Sequence, residues 1–413
     1  MAFPSTNRDT LLRTEKIFFR LSEAGNFVVS DGTAFVGFLD EDGWVWIILP
    51  GLAKFVWKTG KFVRNFAAGA LAPAIASTEW RRRHLLILGY HGVSIEDEHI
   101  WDGSLYMSPK LFRERLRVLQ RAGCAVLPLG DAVRRLNEGT LPARAVVLAF
   151  DDGYYDFAAV VAPILAEFGY PATNFVSSYY AEFNRPIFDI MLRYLLWKGA
   201  NKTLDLSGVL ETPVKLDNKG QGEARLRIKT FAFERGLSGW DKDKLLGRLA
   251  DALGIDYEQL CRKRLLHSMN AEEVHRMHAA GHSIQLHTHR HRVSRKRELF
   301  EREIQDNRRW LGQINGGAPL VHMSFPGDAW EPVQREWLTE LGIETATTCR
   351  PGLAEKGGDQ LRLPRFMDHE HVPEQVFRAW VSGSMAFFPQ AKYLPGEGQI
   401  LEDTIKMKSE VAL

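Results

Sequence analysis

Cysteine is scarce. The 413 residues hold three, Cys124, Cys261 and Cys349, far apart. An odd, widely spaced set excludes a disulfide framework and has no zinc-finger spacing. Three small buried side chains in a reducing compartment are expected instead. A long hydrophobic run is also missing. The longest apolar stretch, Trp44 to Trp57, is broken by Pro50 and Lys54, so it does not span a bilayer. Met1 to Arg20 has no apolar core of signal-peptide length, which gives a cytoplasmic protein as the expectation, with peripheral attachment to the inner membrane face as its variant. An excess of one charge is absent too. With 53 basic and 51 acidic residues the net charge is +2, so no polyelectrolyte attraction to nucleic acid is implied. No internal repeat is evident. What remains is an ordinary globular composition, 45% hydrophobic and 25% charged, enough for one large domain with additions or for two domains.

The chain is organised around Ala145 to Asp156, AVVLAFDDGYYD. Six apolar residues ending at Phe150 read as a buried strand, closed by Gly153. Parallel-sheet proteins carry their chemistry at the carboxyl ends of such strands, and here that end presents two adjacent acids, Asp151 and Asp152. Like charges so placed repel, and a bound cation is the simplest way to hold them. Far downstream, Leu286 to His291 reads LHTHRH and also comes after a strand-like stretch. His287 and His291 are four apart, so in one helical turn they point the same way. With Asp152 they make a two-histidine, one-carboxylate set for a divalent metal, with open positions. Zinc is the first choice and other transition metals fit. Asp151 is left over as a base. His289 falls between the ligands and is expected to point away, and His282 reads as a structural residue at a strand start.

An ordered set of motifs accompanies this pair. LGYHGVS (88–94), FDDG (150–153), GYPATNFV (169–176), the lead-in MNAEEVHRMHAAGHSIQLHTH (269–289), SFPGDAW (324–330) and LPRF (363–366) succeed one another along residues 84 to about 380. Together they resemble the polysaccharide deacetylase family (NodB-like, carbohydrate esterase family 4), in a variant that starts with a YHxV-type strand. The resemblance implies an α/β fold, a distorted (β/α) barrel with seven rather than eight strands. It also implies hydrolysis of an N-acetyl or similar small acyl group on an amino sugar.

The site roles carried by the resemblance are specific. Asp151 becomes the general base for the attacking water. Gly327 matches the backbone N–H that would steady the oxyanion. His91, at the end of the first strand, matches the general acid of the variant that begins with this strand; no clean Leu-x-His comes after Arg365, where His369 and His371 succeed Met-Asp. The third motif departs from Arg-x-Pro-Tyr, with Ser324 and Gly327 in place of Arg and Tyr. Arg365 is expected to orient Asp151 from a neighbouring strand, against the plainer reading of a surface ion pair. Asp328 and Trp330 are expected to shape the sugar pocket.

Around these motifs strand and helix alternate, as a parallel sheet or barrel requires. Strand-like segments are 85–90, 125–129, 145–150, 172–177, 283–286, 321–325, 343–348 and 361–366. Helical ones are 108–123, 131–138, 157–168, 271–280, 296–311 and 333–341. The chain therefore reads as three regions: an extension over 1–83, a catalytic domain over 84–385, and a tail over 386–413. Residues 180–265 interrupt the rhythm with an aromatic-rich start, a Gly/Asp/Lys stretch near 217–223, and helices at 241–253 and 257–264. This insertion is either a packed surface addition or a lid on the substrate, since it separates the two metal motifs. In the extension, Leu12 to Ala24 reads as a helix and Phe27 to Trp46 as short strands. Residues 44–83 interleave Trp, Lys and Arg with apolar positions, which suits a membrane interface and equally a helix packed on the catalytic domain.

The leading functional reading is a metal-dependent deacetylase acting on an N-acetylated glycan, as a polysaccharide, an oligosaccharide or a lipid-linked sugar. The alternatives are an O-acetyl esterase, a non-catalytic carbohydrate-binding protein on the same fold, and a peripheral membrane adaptor working through residues 44–83.

Overall fold

The computed structural model describes residues 74–388 together with Asn65, Ala68, Gly69, Leu71 and Ala72. The helix and strands expected over residues 12–46, most of the basic stretch 44–83 and the tail beyond 388 lie outside the described residues. The chain divides after Ala70, and its second unit, from Leu71 onward, carries both metal motifs.

Seven parallel strands form the centre of this unit. They are β1 (His84–Tyr90), β2 (Ala145–Phe150), β3 (Thr173–Val176), β4 (Ser283–Leu286), β5 (His322–Ser324), β6 (Thr345–Thr347) and β7 (Phe366–Met367). The first six pair in the order β6-β5-β4-β3-β2-β1, and β7 adds to the free side of β1. A bridge between Thr347 and Leu363, just ahead of β7, joins the two edges. There Leu363 N–H donates to Ala346 O at 2.8 Å, and Thr348 N–H to Leu363 O at 2.9 Å. The expected distorted seven-stranded barrel is therefore present. All of β2, and β1 beyond His84, are buried, as continuous apolar strands covered on both faces must be.

The strand expected at 125–129 shrinks to Ala125–Val126, a parallel fringe beside Ala145 and Val146. β3 reaches only Ala149 and Phe150 of β2, so the fringe fills the lower half of that edge. Pro128 stops the strand, having no N–H for the ladder, and α2 (Leu129–Glu138) begins directly after it. The other helices sit close to expectation. α1 (Pro109–Arg121) is capped by Ser108, whose Oγ accepts Leu111 N–H, and α3 (Ala162–Phe168) ends on left-handed Gly169 after a wide π turn over Phe157–Val161. Arg81, at the end of the basic stretch, is fully buried, donating to His84 O at 2.7 Å and Val381 O at 3.2 Å.

Between β3 and β4 the insertion builds five helices: α4 (Ser178–Phe183), α5 (Phe188–Lys198), α6 (Asn218–Glu234), α7 (Gly239–Leu253) and α8 (Tyr257–Arg262). It has a core of its own, in which Leu192 and Leu195 of α5, Ile228 of α6 and Leu249 of α7 are buried in one cluster with Tyr106 and Tyr154. The Gly/Asp/Lys stretch opens α6 rather than a loop. Asp217 caps it through Lys219 and Gly220 N–H, and a Cβ on Gly220 would lie 1.9 Å from Lys215 O. The glycine lets the first turn press onto a two-stranded hairpin, at a cost in helix propensity. α9 (Ala271–Ala279), α10 (Arg297–Gly312), α11 (Gln334–Glu340) and α12 (Glu374–Ser382) complete the barrel layer. Among the described residues no helix is long and apolar enough to cross a membrane.

Candidate active site

The carboxyl ends of β1, β2, β4 and β7 bring the separated motifs together. β2 ends in Asp151, whose N–H donates to Tyr90 O at 3.0 Å. Asp152 and Gly153 then both take left-handed φ, 70° and 71°. This is costly for an aspartate, and it swings the Asp152 carboxylate away from that of Asp151. Gly153 has no alternative, since a Cβ there would lie 2.8 Å from Val176 Cγ1 on β3.

Asp151 is buried and held by Arg365, fully buried itself, in a two-pronged ion pair: Nη1 to Oδ1 and Nη2 to Oδ2, both 2.8 Å. Arg365 Nε donates to Thr348 O at 2.9 Å, which fixes the fork. The arginine enters just ahead of β7 and reaches past β1 to the end of β2. The surface ion-pair reading is thereby excluded. Burial pushes the Asp151 carboxyl up; the Arg365 charge, then His287, outweigh it and hold the group below the ordinary carboxylate range.

Asp152 faces the two histidines. Its Oδ1 lies 3.2 Å from His287 Nε2 and 3.0 Å from His291 Nε2. The pair does not share the helical turn that the spacing predicts. Residues 287–291 form an irregular loop with left-handed Thr288 (φ 61°) and His291 (φ 55°), and those two reversals turn the rings toward one point. His287 Nδ1 sits 2.8 Å from Ser324 O. A carbonyl only accepts, so Nδ1 carries the proton and Nε2 presents a bare lone pair. Asp152 Oδ1 is buried with no hydrogen-bond donor. The three donor atoms lie within 4.8 Å of one another. Two ligands about 2.0–2.1 Å from one ion, at octahedral to tetrahedral angles, stand about 2.9–3.4 Å apart. The observed 3.0 and 3.2 Å separations suit a small divalent cation, zinc included.

Behind the triad stands a residue that no motif marked. Asn307 of α10 is fully buried. Its Oδ1 accepts His287 N–H at 3.0 Å, and its Nδ2 donates to Val176 O at 3.0 Å and Ser178 Oγ at 2.8 Å. Ser177 Oγ adds a bond to His287 O at 2.9 Å. The sequence carried one signal for Asn307, a polar residue on the apolar stripe of an amphipathic helix.

The remaining expected residues divide. His289 points away, with Nδ1 2.8 Å from Ser178 Oγ, and His282 Nδ1 accepts Ala172 N–H at 3.2 Å. His91 comes directly after β1, and burial lowers its pKa while Asp152 and Asp151 draw it back up. His369 comes after β7 in the same register, since Gly89 pairs with Met367. Gly327 occupies the turn Pro326–Asp328 with φ 60°. Asp328 Oδ1 accepts Cys349 N–H at 2.9 Å. Arg362 covers the Trp330 ring at 3.8 Å from its centre. Of the cysteines only Cys349 is buried; Cys124 and Cys261 are partly exposed.

The cavity beside the triad, about 410 Å³, is lined by Asp152, His291 and Ser177 from the barrel and by α4 to α7 of the insertion; Asp328 and Trp330 are not in its walls. Tyr179, Phe183, Ile187 and Phe188, from the aromatic-rich start of the insertion, line it, in keeping with the reading of the insertion as a face over the substrate.

The chain resembles known proteins in three ways. Residues 138–208 and 256–346 match the family described as polysaccharide deacetylase, leaving α6 and α7 outside the match. A stretch of 100 residues is 32% identical to the poly-beta-1,6-N-acetyl-D-glucosamine N-deacetylase of Escherichia coli (strain K12), covering 24% of this chain and 14% of that protein. The chain thus spans about one seventh of the length of that curated relative. Among solved structures, the Streptococcus pyogenes deacetylase PplD in complex with acetate covers 72% of this chain and 98% of its own, at 18% identity and a TM-score of 0.48. IcaB from Ammonifex degensii covers 72% and 97%, at 16% identity and a TM-score of 0.45. The motifs lie in order around a seven-stranded ring, and the two segments that match the polysaccharide deacetylase family contain the Asp151-Asp152 pair and the His287–His291 loop.

Proposed function

We propose that the protein is a metal-dependent hydrolase that removes an N-acetyl, or similar small acyl, group from an amino sugar in a glycan. The observation that carries this reading is the division of labour between two neighbouring acids: Arg365 grips both oxygens of Asp151, while Asp152 Oδ1 has no hydrogen-bond donor and lies beside Nε2 of both His287 and His291. The match of residues 138–208 and 256–346 to the polysaccharide deacetylase family supports it, as does the relative whose name states that it deacetylates poly-beta-1,6-N-acetyl-D-glucosamine.

Asp152, His287 and His291 would hold the divalent ion, which supplies Lewis acidity toward water and the acyl oxygen when bound. The chain's own groups do the rest. Asp151, kept ionised by Arg365, takes the proton of the attacking water as the oxygen–carbon bond forms. Gly327 N–H donates to the oxygen that becomes negative. The carbon–nitrogen bond then breaks, and His91 delivers a proton to the departing amine, so that acetate and a free amino sugar leave.

Acetate release from N-acetylglucosamine oligomers by the zinc-loaded protein, with a chelated sample alongside, tests this. Metal-dependent release is the expected result. Full metal occupancy with no release from any acylated sugar would sink the proposal.

A further inference from the structure

The cavity beside the triad has two unlike sides. Toward the insertion its walls are apolar, with Phe183, Ile187, Phe188, Ala232 and Leu246 facing in. Tyr179 and Phe233 line it and remain 38% and 41% exposed. Trp240, stacked edge-on against Phe183 at 4.8 Å and 56% exposed, extends this apolar rim. At about 410 Å³ the space is in the range of ligand sites, about 300–1,000 Å³.

The charges in this cavity are unevenly matched. Asp189 is paired with Arg225 at 2.6 Å and Lys229 at 3.3 Å, Asp243 with Arg185 at 3.5 Å, and Arg290 with Glu303 at 3.1 Å. Two cations have no carboxylate partner among the described residues: Lys242 of α7 and Arg292, the residue after ligand His291. They come from opposite walls, insertion and barrel. Burial, and then the Arg292 charge, push the Lys242 ammonium below its ordinary pKa, so the two repel across a shared space. Lys242 is half-buried and Arg292 exposed, and an anion held between them would be attracted by both charges and would relieve their repulsion.

We infer that this cavity binds a phosphate-linked lipid glycan: the amino sugar at the triad, its phosphate between Lys242 and Arg292, and its apolar chain along the insertion wall. This inference rests on the deacylase reading and names its substrate class. A neutral glycan polymer supplies no anion for the two cations, and its sugar faces could stack on Phe183 and Phe188 but offer no chain for Ile187 and Leu246. Lys242 and Leu246 of α7 and Ala232 of α6 fall outside the segments that match the family, whereas Phe183, Ile187, Phe188 and Arg292 fall inside them.

Calorimetric titration of the zinc-loaded full chain with four probes tests it: decyl-phospho-N-acetylglucosamine, decyl N-acetylglucosamine without phosphate, N-acetylglucosamine 1-phosphate without the chain, and chitotriose. The complete amphiphile should bind at least tenfold more tightly than any of the other three. The double variant Lys242→Gln/Arg292→Gln should shrink its advantage over the phosphate-free glycolipid by roughly tenfold or more. Equal binding with and without phosphate, or an advantage unmoved in the double variant, would overturn the inference. Equal binding with and without the chain would assign the site to a soluble sugar phosphate and overturn it as well. Acetate release read on the same probes keeps the two proposals apart. Release from all four with no preference leaves the deacylase and removes the lipid phosphate; the expected binding order without release from any probe does the reverse.

Discussion

The barrel mouth and the insertion cavity touch at Asp152 and His291, yet they are built on opposite principles. At the mouth Asp151 is held by Arg365, and His287 by Ser324 O on one side and Asn307 on the other. In the cavity Asp189 and Asp243 are paired with other residues, and Lys242 and Arg292 line it without a carboxylate partner among the described residues. Chemistry demands groups held in one protonation state and one position. Recognition can leave groups unmatched until the right molecule arrives. The contrast therefore separates the part of the molecule that would set the reaction from the part that would set the substrate.

The sharpest way to break this contrast is at Asp151. Asp151→Asn should lower acetate release by about 10²–10⁴-fold with metal content unchanged by elemental analysis. Loss of metal would move Asp151 into the ligand set and collapse the division between the two acids. Next comes His287→Ala, which should strip the metal and reduce turnover to background. A normal metal content would remove His287 from the shell. Arg365→Gln should be costly in two ways. It leaves a buried carboxylate unpaired, a loss of about 3–5 kcal/mol visible as a lower melting temperature. It also removes the charge that holds Asp151 below its ordinary range. Because that charge favours the ionised form, its removal raises the Asp151 pKa, and the acid limb of the kcat/KM profile should move to higher pH. An unmoved limb would assign it to another group. The smallest effect is expected at Asn307→Ala, which takes the support from His287 without touching any ligand. Metal affinity should fall about 10–100-fold while zinc at saturating concentration restores most turnover.

Parts of this arrangement are legible in the sequence, for a physical reason. Asp151 and Asp152 are adjacent and close an apolar run, and His287 and His291 come after another, so each half of the triad is written locally. Arg365 is legible through LPRF, although the path it takes past β1 is not. The loop at 287–291 reads as a helical turn because a spacing of four suits both. The left-handed φ of Thr288 and His291 that tells them apart is imposed by the packing of Thr288, which is fully buried. α6 is hidden by Gly220 and Gly222, residues that disfavour helix until a hairpin backbone needs the space. The cavity is not legible at all. Lys242 and Arg292 are 50 positions apart and acquire meaning only when the insertion folds back over the barrel.

The grip of Arg365 on Asp151 spans 214 positions, with a consequence for how the molecule comes into being. As the chain leaves the ribosome at about 5–20 residues per second, roughly 4–15 s separate His291 from Arg365. Through that interval the metal ligands are all present, but the proton acceptor is an unclamped carboxylate with no arginine to hold it. Closing the ring with β7 would then be the step that brings Arg365 to Asp151. A chain interrupted before that point would carry the proposed metal ligands without the arginine that holds the proposed base, so full hydrolytic competence would report that the barrel is whole.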